Sequence, residues 1–161
     1  MIANVPFIEK KFDEFNELMF GGELKRIPIV LSKRKGQVAS FSCTISKVFF
    51  LKNKYFEPKF TFSTRYDYTE RQLEDVIIHE MIHYYIRFKG LKDEGSHGPI
   101  YVKIMNEINQ KFGRNITIKQ DTKEVGLVDT KPKQRIIAVL EKKDGTVGIK
   151  VLPRNETKIH A

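Results

Sequence analysis

Apolar positions recur at helical spacing in three stretches of this chain and in short β-rich runs elsewhere. Phe7, Ile8, Phe12, Phe15, Leu18 and Met19 follow the three-and-four interval of a helix with one apolar face, and Gly21-Gly22 closes it. Residues 27–31, 38–44, 48–51 and 60–63 are rich in β-branched and aromatic residues and predict strands. Thr69 followed by Gln72 has the form of a capping box, and Tyr68 with Leu73 can staple across it. From there Leu73, Val76, Ile77, Ile78, Met81, Ile82, Tyr85 and Ile86 predict a mostly apolar, buried helix that stops at Lys89 and Gly90. Tyr101, Ile104, Met105, Ile108 and Phe112 predict a third helix, started by Pro99 and ended by Gly113. Residues 135–142 and 146–152 form two further β-rich runs around Asp144-Gly145, a hairpin signal.

The order helix, sheet, helix, helix, hairpin predicts an α+β fold, with the second helix packed against a mostly antiparallel sheet. We expect a compact domain over residues 1–118 and a basic β-hairpin appendix over 119–161, which completes the fold or covers a sheet edge. At 161 residues and 40% hydrophobic content the chain is long and apolar enough for a substantial core. It has no run of about twenty apolar residues and no signal-peptide core at its start, so we expect a cytoplasmic protein with no membrane partner. The single cysteine, Cys43, allows no internal disulfide and suits a reducing compartment. It lies in an alternating run where burial is the expected fate.

The chemistry concentrates in the second helix. It carries the segment HEMIH, so His79 and His83 are one turn apart and stack on one face, able to share a metal about 2.1 Å from each nitrogen. Glu80 is rotated roughly 100° from His79 and can flank the metal without entering its first shell. That is the place for a general base, because zinc lowers the pKa of a water from 15.7 to about 7 and a carboxylate can then take its proton. With four histidines in the whole chain, a random sequence of this composition would contain roughly 0.008 such motifs. Chance is a poor account, although an inactive relic of a metal site remains an alternative. Buried polar groups need partners, and a metal would supply them.

A catalytic zinc usually has three protein ligands and an open fourth position. His97 is the natural third, in a polar loop between two buried helices, followed by Gly98 and Pro99. The expected set is therefore Zn²⁺ on His79, His83 and His97, with Glu80 catalytic.

In HEMIHYYI, in EGSHGPIYVKIMNEIN and in FNELMFGGEL the chain resembles the SprT-like zinc metalloproteases, over about residues 7–118. The resemblance implies a zincin-like fold in which an extended protein substrate often lies along an edge strand. It implies zinc on the two histidines of HExxH and on a later histidine before glycine, with the glutamate as base. Those roles fall on His79, His83, His97 and Glu80. Many family members continue into a four-cysteine zinc ribbon that helps bind DNA; one cysteine cannot build it.

Charge bears on the partner. The net charge is +9, distributed as +6 over residues 1–66, −1 over 67–118 and +4 over 119–161. Lys33, Arg34 and Lys35, and Lys131, Lys133 and Arg135, are candidate contacts to DNA phosphates, with a solvated basic surface as the plainer reading. Tyr55, Phe56, Tyr66 and Tyr68 offer stacking on unpaired bases, although aromatics near strands more often belong to the core. Two other classes of function stay open. One is a nucleic-acid-binding module with a structural zinc, against which Glu80 argues, since such a site needs no carboxylate beside its first ligand. The other is a zincin peptidase unrelated to nucleic acid.

Two residues are candidates for supporting roles. Asp75, one turn before His79, either holds its second ring nitrogen or simply favours the helix N-terminus. Tyr101 either donates to an oxyanion or packs in the core, where its apolar stripe places it.

Overall fold

The computed structural model describes residues 1–47, 54–119, 125–128 and 137–151. The first helix, α1, spans Val5–Phe20. Asn4 caps it, accepting from the Phe7 N–H at 3.0 Å, and Gly21 ends it in the left-handed conformation. Its inner stripe is Ile8, Phe12, Phe15 and Phe20, whereas Leu18 faces solvent. Asn16 is also buried, and its amide donates to the Leu24 carbonyl at 2.8 Å and accepts from the Leu24 N–H at 3.0 Å. This two-point clamp fixes how the chain leaves the Gly21-Gly22 turn.

Three strands form the central sheet: β1 (Ile29–Ser32), β2 (Ala39–Lys47) and β3 (Lys54–Ser63). Their order is β1-β3-β2, with β3 parallel to β1 and antiparallel to β2. Among the described residues β2 is thus an edge. A short β4 (Tyr66–Asp67) pairs antiparallel with β5 (Gly126–Leu127), which brings residues 125–128 back beside it. The central sheet is therefore mixed, one pairing parallel and one antiparallel, where the sequence leads one to expect a mostly antiparallel sheet; the two small sheets, β4-β5 and the hairpin of residues 137–151, are antiparallel. The strand expected over 48–51 lies outside the described residues.

Helices α2 (Glu70–Phe88) and α3 (Pro99–Phe112) complete the first unit. The capping box at Thr69 and Gln72 is formed in both directions. The far end closes as a Schellman turn, Gly90 N–H to Arg87 O and Leu91 N–H to Ile86 O, with Gly90 at positive φ. α2 packs on α1, α3 and β2. Alternation along β3 turns Phe60 and Phe62 inward, and Phe60 meets Phe12 of α1, Phe41 of β2 and Tyr84 of α2 at ring centroids of 6.1, 5.8 and 5.9 Å. Each such ring buries on the order of 150–250 Å², so this aromatic layer is a main source of the force holding α2 on the sheet. Tyr66 and Tyr68 are core residues, not platforms for bases: the Tyr68 hydroxyl donates to the Ser63 carbonyl at 3.1 Å and the Tyr66 hydroxyl accepts from the Gly36 N–H. Cys43 is free and half-buried.

The chain divides into two compact units, Met1–Val128 and Asp129–Ala161. Within the second, β6 (Ile137–Glu141) and β7 (Val147–Val151) form the antiparallel hairpin expected around Asp144-Gly145. Asp144 accepts from the Thr146 N–H, and Gly145 takes the positive φ that the turn requires. No helix among the described residues is long and apolar enough to cross a membrane.

Candidate metal centre

His79, Glu80 and His83 lie on α2, and His97 in the loop that leads into α3. His79 and Glu80 are 5% and 3% exposed, so two polar side chains sit inside the domain, while His83 and His97 are half-buried. The His79 Nε2 is 3.3 Å from His83 Nε2 and 3.1 Å from His97 Nε2. The three rings surround one point, with centroids 4.8 to 5.1 Å apart.

The tautomer of His79 follows from its neighbour. Its Nδ1 is 2.9 Å from the carbonyl oxygen of Thr117, which can only accept, so the proton sits on Nδ1 and the Nε2 lone pair points at the other imidazoles. Burial, then the charges of His83 and His97, push His79 down to about 3; burial and His97 push His83 down to about 4. Burial lowers His97 as well. All three imidazoles are therefore neutral near pH 7, and one ring nitrogen of each lies within reach of the others, where an ion could be held between them. Two nitrogens each about 2.1 Å from a tetrahedral ion are about 3.4 Å apart, close to the spacing seen here. The trio fits a metal ion.

Two of the supporting roles resolve differently from one another. Asp75 does not reach His79; its carboxyl is turned to Arg114 at 3.4 Å, and burial raises its pKa. The backbone carbonyl of Thr117 does the task instead, and nothing in the side-chain pattern signals it. That carbonyl is held in place by Asn109, whose side chain accepts from the Ile116 N–H at 2.8 Å and donates to the Ile116 carbonyl at 2.9 Å. Tyr101 is fully buried, as its place on the apolar stripe predicts. Its ring floors the site, 4.6 to 5.2 Å from the centroid of each histidine. Burial, and after it the charge of Glu80, keep its hydroxyl well above the usual phenol value, so it stays protonated.

The site opens as a groove between α2, the loop before α3 and edge strand β2, whose Ala39, Ser40 and Phe41 form one wall. A second groove, on the outer face of the sheet, is lined by hydroxyls of Ser40, Ser42 and Thr61 with Arg34 and Lys59 and holds no imidazole. Lys33, Arg34 and Lys35 are exposed in the turn between β1 and β2. Lys131, Lys133 and Arg135, and the side chains of Tyr55 and Phe56, lie outside the described residues.

With this arrangement in view, comparison with known proteins is decisive on one point. The sequence model of the SprT-like family matches residues 8–121. The chain belongs to the SprT-like family. The match contains all three histidines, Glu80 and Thr117, so the family region and the site coincide. The SprT-like chain is similar to the DNA-dependent metalloprotease SPRTN of Homo sapiens, 29% identical over 119 residues, which covers 73% of this chain and 23% of that protein. It is similar also to the proteins of the same name from Danio rerio, 31% identical over 114 residues with 70% and 17% covered, and Xenopus tropicalis, 32% over 114 residues with 70% and 25% covered. The SprT-like chain thus spans about a quarter or less of the length of the curated relatives it matches. No solved structure matches it.

Proposed function

We propose that this chain is a zinc-dependent endopeptidase that cleaves proteins associated with DNA, with His79, His83 and His97 as zinc ligands and Glu80 as general base. One observation carries the reading. Three neutral imidazoles meet at tetrahedral spacing beside a buried glutamate, in a groove that an edge strand borders. A zinc ion held by three histidines supplies a Lewis acid that polarises a peptide carbonyl and acidifies water. Three nitrogen ligands suit zinc better than the hard, oxygen-seeking calcium or magnesium.

The chain's own residues do the remainder. Strand β2, an edge among the described residues, offers main-chain groups to an extended peptide, which gives affinity with little dependence on side chains. The Glu80 carboxylate takes the proton of the attacking water and returns it to the departing amine, a role worth about 10²–10⁴ in rate. Tyr101 remains a phenol at neutral pH and closes the floor of the site against water.

The DNA association draws on the exposed Lys33, Arg34 and Lys35, on the positive charge outside residues 67–118 and on relatives named as DNA-dependent. We read residues 1–118 as the protease domain and 119–161 as a basic hairpin appendix to it, and we place the protein in the cytoplasm, where its lone cysteine would remain reduced.

The test is to measure zinc per chain, then cleavage of a DNA-binding protein with and without single-stranded DNA, for wild type and Glu80→Gln. The expectation is one zinc per chain and cleavage by wild type alone, promoted by DNA. Equal, negligible cleavage by both with full zinc would overturn the protease reading and favour a binding module, while cleavage indifferent to DNA would remove the nucleic acid from it.

A further inference from the structure

Helix α3 begins without a cap of its own. Gly98, at its N-cap, has no side chain, and Pro99, at the first helical position, has no N–H to offer. The next two amides are Ile100 and Tyr101, and one carboxylate upstream takes both. The Ile100 N–H donates to Asp93 Oδ1 at 3.1 Å and the Tyr101 N–H to Asp93 Oδ2 at 2.8 Å. Oδ1 also accepts from the Glu94 N–H at 3.0 Å. Desolvation opposes the charge on Asp93, but the amides of Tyr101, Ile100, Glu94 and Gly98 outweigh it and hold the carboxyl below its ordinary value. The positive end of the helix dipole acts in the same direction.

These bonds close a ring of chain, and His97 belongs to it. The ring is tight: a Cβ added at Gly98 would lie 2.3 Å from Asp93 Oδ1, and 2.5 and 2.7 Å from the backbone oxygen and nitrogen of Glu94. Only glycine lets the backbone pass there. His97 comes immediately before that close approach, and its Nε2 emerges 3.1 Å from His79 Nε2. The other two imidazoles are carried by α2 itself, His79 further steadied by the Thr117 carbonyl, so of the three His97 alone is carried on a loop.

We propose that Asp93 is a positioning residue: by fastening the start of loop 93–98 to the first amides of α3, it presents His97 to the imidazoles of α2 before any ion is bound. The proposal rests on the reading of His97 as a ligand. A loop without this fastening must be ordered when the metal arrives, and that entropy is subtracted from affinity. Plain helix capping would stabilise α3 and leave metal affinity where it was, so affinity is the quantity that separates the two roles.

The experiment uses the full chain and zinc ion. Zinc affinity is measured by competition with a chromogenic chelator for wild type, Asp93→Ala, Asp93→Asn and His97→Ala, and the visible spectrum is recorded with cobalt in place of zinc. Asp93→Ala is expected to bind zinc about 10–100-fold more weakly, as supporting residues of metal sites do, with its cobalt spectrum displaced toward that of His97→Ala. Asp93→Asn keeps an oxygen for Glu94 and Ile100 and is expected to fall between Asp93→Ala and wild type. Wild-type affinity in Asp93→Ala beside a loss in His97→Ala would reduce Asp93 to a helix cap and overturn the proposal alone. Wild-type affinity in His97→Ala would overturn the ligand reading and the proposal with it. Should Asp93→Ala not fold, Asp93→Asn decides: affinity equal to wild type refutes the proposal.

Discussion

The Nδ1 of His79 donates to the backbone carbonyl of Thr117 at 2.9 Å, across 38 positions of sequence. Because the acceptor is main chain, its placement depends on what holds the segment and not on the threonine side chain. Asn109 holds it, through both polar atoms of its amide on Ile116. Asn109→Ala is therefore expected to cost about 1–3 kcal/mol of stability, by stranding two half-buried backbone groups, and to weaken zinc about tenfold or more. Thr117→Ala should leave zinc affinity within about twofold. Titration calorimetry on both variants checks the pair, and a larger loss in Thr117→Ala than in Asn109→Ala would contradict the account.

Glu80→Gln keeps the shape and burial of the side chain and removes its basicity. Zinc content should be unchanged and the cleavage rate lower by about 10²-fold or more. Single-turnover assays at saturating substrate distinguish this from a loss of binding, which would appear in KM with kcat preserved.

Tyr101 separates packing from polarity. Its hydroxyl is only 3.5 Å from the His79 carbonyl, a weak bond, whereas its ring packs on all three histidine rings. Tyr101→Phe should cost under about 1 kcal/mol, and Tyr101→Ala about 3–5 kcal/mol with loss of zinc. Denaturant unfolding of the metal-free variants tests the contrast, which fails if the two substitutions cost the same.

Acid should destabilise the metal-free protein in a defined window. His79 and His83 titrate at about 3 and about 4 when folded, against 6.5 ordinarily. Between roughly pH 6.5 and 4 the unfolded chain thus holds more protons than the native one, so stability is fully present above about 6.5 and declines as pH falls. The unfolding midpoint in urea should drop between pH 7.5 and 4.5, less steeply in His83→Ala. Identical slopes for the two proteins would exclude His83 as a contributor.

Exposed cations between β1 and β2 give a salt-dependent prediction. Replacing Lys33, Arg34 and Lys35 by alanine should weaken binding to single-stranded DNA and reduce the slope of log affinity against log salt by about 2, roughly 0.7 for each phosphate no longer neutralised. An unchanged slope would place the nucleic acid on another surface.

Much of the fold was legible in the sequence because its determinants are local. The capping box at Thr69, the closing glycines 21, 90 and 113, and the Asp144-Gly145 turn each act over a few residues, and the predicted elements form where those signals lie. The pairing of His79 with His83 and the place of Glu80 are likewise consequences of helical period. Other features depend on distant parts of the chain meeting, which periodicity does not encode. The order β1-β3-β2, which leaves β2 as the edge beside the groove, is set by how the aromatic faces of the sheet and α2 meet. Asp75 looked as well placed for His79 as any residue one turn away, yet Arg114 draws it aside and the Thr117 carbonyl takes its place. His97 could be named from its neighbours in sequence, but its approach to His79 required the fold of the Asp93 loop. By itself the sequence determined which side chains could bind a metal and that the helix carrying two of them is buried, because helix geometry is short-ranged; tertiary structure alone decided the His79 tautomer and the approach of the three imidazoles, because those depend on groups far away along the chain.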